Sequence, residues 1–385
     1  MTAAIMLIGI ALMIVIHEGG HFVAAKYFDM KITEAFFGFG PKLWSTQRGE
    51  TEYGLKAIPM GGYVRIIGMN PLEEIAPDDE ERTYRSAPFW QKSIVVLAGV
   101  ASHLIMAFLL FFIVFAVWGQ RERNELGRSI PTLTLAVVAA TTPDGDTSPA
   151  TRSGFEPGDT LRTFEGMAVE SWDMFVDRVQ ENGGNTVMIG YDRDDSRSEV
   201  PVALALIEAP VIVDGQPVTD ADGNMVTEEI GYFGAAPEVE RIDVGPISND
   251  VAAGSAVVTA IGDSFRGLWA MITGFPDLLL AVAGGDDEVL QEVRPITPIG
   301  LARIAGPLES TLALLALVNV FVAIINVIPL YPLDGGHFAV ALYEKLTGKE
   351  PDVRKLTPIA AVVLLFLVTV GLVGLYLDIF RPLQL

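Results

Sequence analysis

His17-Glu18-Gly19-Gly20-His21 forms an HExxH pattern inside an apolar run near the start of the chain. On a helix, residues four apart share a face, so both imidazoles fall about one turn apart and can bind a single zinc ion. Glu18 lies one position round the helix. It can reach a metal-activated water without being a ligand, serving as general base and then as acid to a leaving amine. Many HExxH matches in soluble proteins are solvated helix surface, but the setting here differs. A charged group inside an apolar span costs about 2.5 kcal/mol or more, so two His and a Glu there point to a functional site. The competing reading is a structural polar cluster packed against other helices. Gly19 and Gly20 would each weaken a helix in water by about 1 kcal/mol relative to Ala. Within a membrane, small residues let another backbone approach.

The chain has no Cys, which excludes disulfides, thiolate zinc sites, iron–sulfur clusters and cysteine nucleophiles. A catalytic zinc takes three protein ligands and keeps one open position. The third ligand is therefore His, Asp or Glu, with His103 and His337 the remaining His residues. Residues 326–337 read NVIPLYPLDGGH. Asp334 lies there at the end of an apolar helix broken by two prolines, where unwound backbone requires protein or a polar cavity around it. An ordinary helix exit with an Asp-Gly turn is the alternative.

The elements that must position these groups are apolar. Of 385 residues, 50% are hydrophobic and only 19% charged, with a mean hydropathy of +0.41, which excludes disorder and argues against an ordinary soluble enzyme. Windows at 3–28, 93–118, 310–330 and 357–380 are long and apolar enough to sit in a bilayer. No Lys or Arg precedes the first run and no small-residue cleavage pattern closes it, so a retained span is expected rather than a signal peptide. The net charge of −22 makes a nucleic-acid partner unfavourable. Residues 119–310 hold 12 Lys and Arg against 32 Asp and Glu, nearly the whole excess. Residues 24–92 hold 9 basic residues and 331–356 hold 4. By the positive-inside tendency these two short loops face the cytoplasm, with the acidic module and both chain ends outside. Asp263, Arg266 and Pro276 interrupt the apolar stretch 255–283, which reads as an amphipathic helix on the outer surface rather than a fifth span.

HEGGH in the first span and NVIPLYPLDGG in the third resemble the site-2 protease family of intramembrane zinc metalloproteases, in its bacterial branch with an extracytoplasmic PDZ domain. The resemblance implies His17, His21 and Asp334 as zinc ligands, Glu18 as the water-activating residue and Asn326 as an amide donor to substrate or oxyanion. It gives His337 no ligand role. Residues 38–41 (GFGP) and 57–64 (AIPMGGYV) look like the family's cytoplasmic loop elements, and their alternation suggests short strands around an Arg48-Gly49-Glu50 turn. A strand edge near the site would hold an unwound substrate extended; a plain amphipathic hairpin on the membrane surface is the alternative. Two departures stand out. Gly99-Val100-Ala101-Ser102-His103 lacks the family's Pro and Asn in the second span, and Thr297-Pro298-Ile299-Gly300 replaces a Gly-Pro element. His103 is expected to bond a neighbouring helix backbone, with a polar contact in place of the missing Asn as the alternative.

Residues 148–166 (SPATRSGFEPGDTLRTFEG) resemble a PDZ domain: Ala150 and Gly154 in a turn, Pro157-Gly158-Asp159 before a strand, Gly166 at a hairpin. A steric gate that admits trimmed substrates is preferred over peptide sensing, because an acidic surface disfavours a peptide carboxylate. Asp214-Gly215 and Asp222-Gly223 are hairpin signals further on. The expected fold class is a polytopic α-helical membrane protein with four transmembrane helices, an extracytoplasmic α/β PDZ-like domain and a cytoplasmic membrane-associated β-hairpin loop. Spans are expected at 1–28, 93–118, 310–336 and 357–380, cytoplasmic loops at 29–92 and 337–356, the PDZ-like domain at 119–210, and an acidic linker with the surface helix at 211–309. The expected activity is cleavage of single-span membrane proteins after a first extracytoplasmic cut, with anti-sigma factors or signal-peptide remnants as substrates, in a bacterial cytoplasmic membrane. A catalytically inactive membrane-anchored PDZ scaffold is the alternative. A transporter would carry internal repeats, and none is visible.

Overall fold

The computed structural model describes residues 2–70, 73–121, 129–194, 196–213, 216–217, 225–242, 245–284, 294–349 and 353–381. Its described helices, in chain order, are α1 (Thr2–Tyr27), α2 (Phe89–Trp118), α3 (Pro149–Arg152), α4 (Trp172–Glu181), α5 (Pro246–Gly284), α6 (Pro298–Ile304), α7 (Leu308–Val327), α8 (Asp334–Thr347) and α9 (Val353–Phe380). The chain divides into one unit of Met1–Trp118 with Val244–Leu385, and a second of Gly119–Asp243.

In lipid, a lone segment satisfies its backbone donors and acceptors only as a helix, and the long apolar runs of the first unit are helical. Among the described residues, five stretches are long and apolar enough to cross a membrane: α1, α2, Ser248–Val282 of α5, α7, and Arg354–Phe380 of α9. Four fall on the windows read from the sequence. The fifth is the stretch expected to lie on the surface; it is one continuous helix that accommodates Pro276. Its Ala253, Ala260 and Leu268 share a core with Ala107 and Phe111 of α2 and Val320 of α7.

The third span was expected to run to 336, but α7 ends at Val327 and a new helix, α8, starts at Asp334. Pro329 and Pro332 offer no N–H to continue the helix. Gly335 permits the reversal, since a Cβ there would lie 2.5 Å from the backbone carbon of Val327.

Contacts fix the helix directions. Thr2 Oγ1 donates to Ala305 O at 3.3 Å, and Met6, Ile10 and Met13 share a core with Leu315, so α1 and α7 run parallel. Lys92, in the first turn of α2, reaches Glu344 of α8 at 2.7 Å, so α2 runs the other way. Near the end of α9, buried Asp378 accepts from Arg294, from Thr297 N–H and from Gly300 N–H at 2.8, 2.8 and 3.2 Å. That end of α9 lies where α1 and α7 begin.

Between α1 and α2, β1 (Ile32–Arg48) and β2 (Thr51–Ile66) flank a Gly49-Glu50 turn, with Gly49 at φ +63°. The strands bend back on themselves: Ala35 pairs with both Val64 and Tyr53, and Phe36 with both Tyr63 and Gly54. Residues 62–66 and 42–48 become the two edges of a four-segment sheet. Its root is ionic. Glu50 accepts from Lys26 of α1 at 2.5 Å and from Arg82 at 2.8 and 3.0 Å.

The second unit is built on a six-stranded sheet in the order 235–239, 131–138, 160–164, 186–193, 196–203, with 167–168 paired to 160–164. Strand 205–210 pairs separately with 227–232. Leu135, Phe155, Leu161, Phe164, Phe175, Ile189 and Phe233 form its core. Gly154, Gly158 and Gly166 all have positive φ, as turns at those positions require. The unit reaches Asp243 rather than stopping near 210, because strand 235–239 completes one sheet edge against 131–138. The Asp214-Gly215 and Asp222-Gly223 signals lie outside the described residues.

Hydrogen bonds from Arg82 and then Lys26 hold the Glu50 carboxyl at about 2, below its ordinary 4.5. A group depressed in the folded state adds stability that is complete above its unfolded value and fades as pH falls toward the folded one. Because the clamp is partly exposed, its worth is below about 1 kcal/mol. Protease nicking of the 29–88 segment should therefore rise between about pH 5 and about pH 3 in the wild type. In Glu50→Gln it should be raised already and vary less with pH; identical profiles would show that the clamp does not hold the root.

Candidate metal centre

Helix α1 presents His17 and His21 one turn apart, and α2 lies close enough to orient them. A Cβ on Gly20 would lie 2.6 Å from Ala98 O, and one on Gly99 would overlap His21 Nε2 and come within 2.8 Å of His17 Cε1. His21 Nδ1 sits 2.8 Å from Val95 O. A carbonyl only accepts, so Nδ1 carries the proton and Nε2 of the neutral ring keeps a lone pair facing inward.

The parallel course of α1 and α7 brings the start of α8 to that place. Asp334 Oδ2 lies 3.5 Å from His17 Nε2 and 3.4 Å from His21 Nε2, and the two Nε2 atoms are 3.3 Å apart. A tetrahedral ion with bonds of about 2.05 Å separates its ligand atoms by about 3.3 Å. The three atoms thus form a nearly equilateral face of the right size. Asp334 Oδ2 and His17 Nδ1 are buried and have no hydrogen-bond partner among the described residues. Lone pairs facing one another at such distances repel unless a cation joins them, and the donor set of two imidazoles and a carboxylate suits zinc.

Glu18 points into a cavity of about 440 Å³ between α1 and the hairpin, lined by Phe22, Phe36, Trp44, Tyr53 and Tyr63 among others. A Cβ on Gly62 would come 3.2 Å from Glu18 Cγ, so the 62–66 sheet edge runs beside the carboxylate. Asn326, in the last turn of α7, is half-buried and makes no side-chain hydrogen bond among the described residues. It stands outside the trio. His337 also stands apart, its ring 4.8 Å from that of Tyr331. His103 pairs with a side chain rather than with the helix backbone expected for it: its Nδ1 is 3.0 Å from Asn319 Oδ1. Asn319 was not singled out from the sequence, and Gly99 was noted only as part of the second-span departure. Gly99 could have been found, as a small residue of the second span where it must approach HEGGH, and Asn319 as an amide inside an apolar span.

The profile of the family described as Peptidase family M50 matches residues 5–370. Zinc metalloprotease Rip1 of Mycobacterium tuberculosis is 31% identical, covering 98% of this chain and 97% of the relative. Rip1 of Mycolicibacterium smegmatis is 29% identical over the same shares. Among solved structures, the PDZ domain of an SdrC-like protein from Listeria monocytogenes is 17% identical and covers 30% of this chain and 88% of its own, at a TM-score of 0.16, too low to assign a fold.

Gly99→Ala should displace His21 and weaken metal binding by about tenfold or more, read as metal content of the purified protein after dialysis. Gly19→Ala, whose Cβ meets nothing within 4 Å, should retain the metal. Equal metal in both variants would remove the packing argument.

Proposed function

The chain belongs to peptidase family M50, the site-2 proteases, and we propose that it cuts single-span membrane proteins within or near the bilayer. It is a zinc metalloprotease. We assign His17, His21 and Asp334 as zinc ligands, Glu18 as general base and Asn326 as an amide donor to the substrate. The observation that carries this assignment is the 3.3, 3.4 and 3.5 Å triangle of donor atoms.

When bound, zinc polarises the scissile carbonyl and lowers the pKa of water toward neutrality. Glu18 takes the proton from the attacking water and returns it to the leaving amine, so the carboxylate is regenerated each turnover. Asn326 donates from its side-chain amide to the carbonyl oxygen as negative charge develops there. A transmembrane helix hides its carbonyls, so the substrate must unwind. The 62–66 edge beside Glu18 offers backbone groups to hold it extended.

Substrates are read as proteins already trimmed outside, such as anti-sigma factors or signal-peptide remnants. The 119–243 unit is read as a PDZ-like domain that restricts access to them. Kinship with the bacterial relatives supports a bacterial cytoplasmic membrane as its location, and the positive-inside tendency supports both ends and this unit outside, with the site toward the cytoplasm. Reach supports four spans rather than five. Pro246, which begins α5, follows shortly after Ile242, which pairs with Gln120 just past the end of α2. The other end, Gly284, is only ten residues from Arg294, which bonds Asp378 at the same end of the bundle. Ten residues span at most about 36 Å, whereas a straight 39-residue helix is about 58 Å long. A helix standing upright over that whole length would leave Gly284 farther from the Arg294 end of the bundle than ten residues reach, whereas one lying obliquely along the bundle would not.

Glu18→Gln should retain zinc and lose about 10²–10⁴-fold in cleavage of a model single-span substrate. Asn326→Leu should lose about 10²-fold in kcat with zinc unchanged. Cleavage undiminished in Glu18→Gln would remove the assignment, and a protein that binds zinc but never cleaves would favour the scaffold alternative.

A further inference from the structure

The two imidazoles of α1 are held differently. His21 is anchored through Nδ1 to Val95 O at 2.8 Å. A ligand imidazole normally has such a partner, which fixes its tautomer and ring plane. The buried His17 Nδ1 has no partner at hydrogen-bond geometry among the described residues, and its only backbone interaction is a weak one with Gly99. What it has is a neighbouring ring: His103 of α2 stacks on it, with centroids 4.6 Å apart and planes 27° from parallel. His21 stands edge-on at 4.7 Å and 89°, so the His17 ring is bracketed by two imidazoles.

His103 is itself fixed. It is 2% exposed, and Asn319 of α7 is 1% exposed. Asn319 Nδ2 donates to Leu315 O at 2.8 Å, so its other amide atom is the oxygen, which can only accept. His103 Nδ1–H therefore donates to Asn319 Oδ1 at 3.0 Å. Positions 95, 99 and 103 follow a four-residue spacing and share one face of α2. One helix face thus supplies the carbonyl for His21, the clearance for both rings and the stacking partner for His17.

We propose that His103, held by Asn319, is a positioning residue that sets the His17 ring plane for metal binding by stacking, in place of the absent hydrogen bond. The proposal rests on the assignment of His17, His21 and Asp334 as zinc ligands. His103 is outside that donor group and acts through His17.

The test is zinc affinity of the purified full-length protein in detergent, measured by competition with a chromophoric chelator, alongside thermal unfolding of the metal-free form. His103→Ala should bind zinc about tenfold more weakly. His103→Phe, which keeps a ring to stack, should stay within about threefold of wild type. Asn319→Leu, close in volume, should weaken zinc binding by releasing His103, and it supplies the readout if His103→Ala does not fold. Wild-type affinity in His103→Ala and Asn319→Leu would overturn the proposal, as would equal losses in His103→Ala and His103→Phe. A wild-type protein that binds no zinc would overturn the ligand assignment itself, and this inference with it.

Discussion

Three lone pairs, from positions 17, 21 and 334, meet within 3.5 Å of one another among apolar helices. With both imidazoles neutral and no cation the arrangement is repulsive, and polar groups at such depth are costly. Much of the first unit follows from making that meeting possible. Two helices far apart in sequence must run parallel so that their C-terminal ends coincide, which the shared core of Met6, Ile10, Met13 and Leu315 ensures. The second must also stop. Had α7 continued through 336, Asp334 would be one more side chain on a straight helix; the Pro329–Pro332 break and the close-packed Gly335 turn it back toward α1.

The helix between them in sequence does a different job. Helix α2 contributes no zinc ligand in our assignment, yet its packing against α1 determines where both imidazoles point. Gly20 and Gly99 remove the volume that would keep the backbones apart, a use of small residues suited to helix pairs in lipid, where burial of apolar surface gives no driving force. Close approach in turn lets Val95 O act as an acceptor for His21. The tautomer that exposes Nε2 is thus a consequence of interhelical distance.

The candidate metal ligands were legible in part because chemistry restricts them: a four-residue His spacing and an absence of Cys leave His, Asp or Glu for the third position, and the resemblance of the LDG segment singled out Asp334. Helix positions were legible for a similar reason, since long apolar runs have only one solution in lipid. What lay beyond reading was pairing between distant segments. Nothing near Ala235 announces that it will pair with Val138, so the second unit looked some thirty residues shorter than it is. The hairpin was visible at Arg48-Gly49-Glu50, but its bending into four segments depends on Ala35 and Phe36 pairing on both sides. His103 was noticed as a departure, while its pairing with Asn319, an amide in the third apolar run, joins positions 216 residues apart. For the 246–284 helix, length and composition permit a crossing, so hydropathy alone does not distinguish a span from a helix lying along the bundle.

Hydrolysis in lipid has two opposed requirements, a dry wall against which an unwound segment can lie and a supply of water. The 62–66 edge borders both kinds of space. Tyr63 and Val64 line the apolar cavity that holds Glu18, and the same two residues line a second cavity of about 530 Å³ with Arg65, Glu73, Tyr331 and His337. A chain paired along this edge would have Glu18 and aromatic rings on one side and a polar, wettable wall on the other. The low dielectric of the first strengthens every charge interaction at the reacting bond, and the second reaches the α7–α8 turn that carries Asp334. Separating the two with a single strand edge, rooted by Glu50 between Lys26 and Arg82, lets one short segment of backbone meet both requirements.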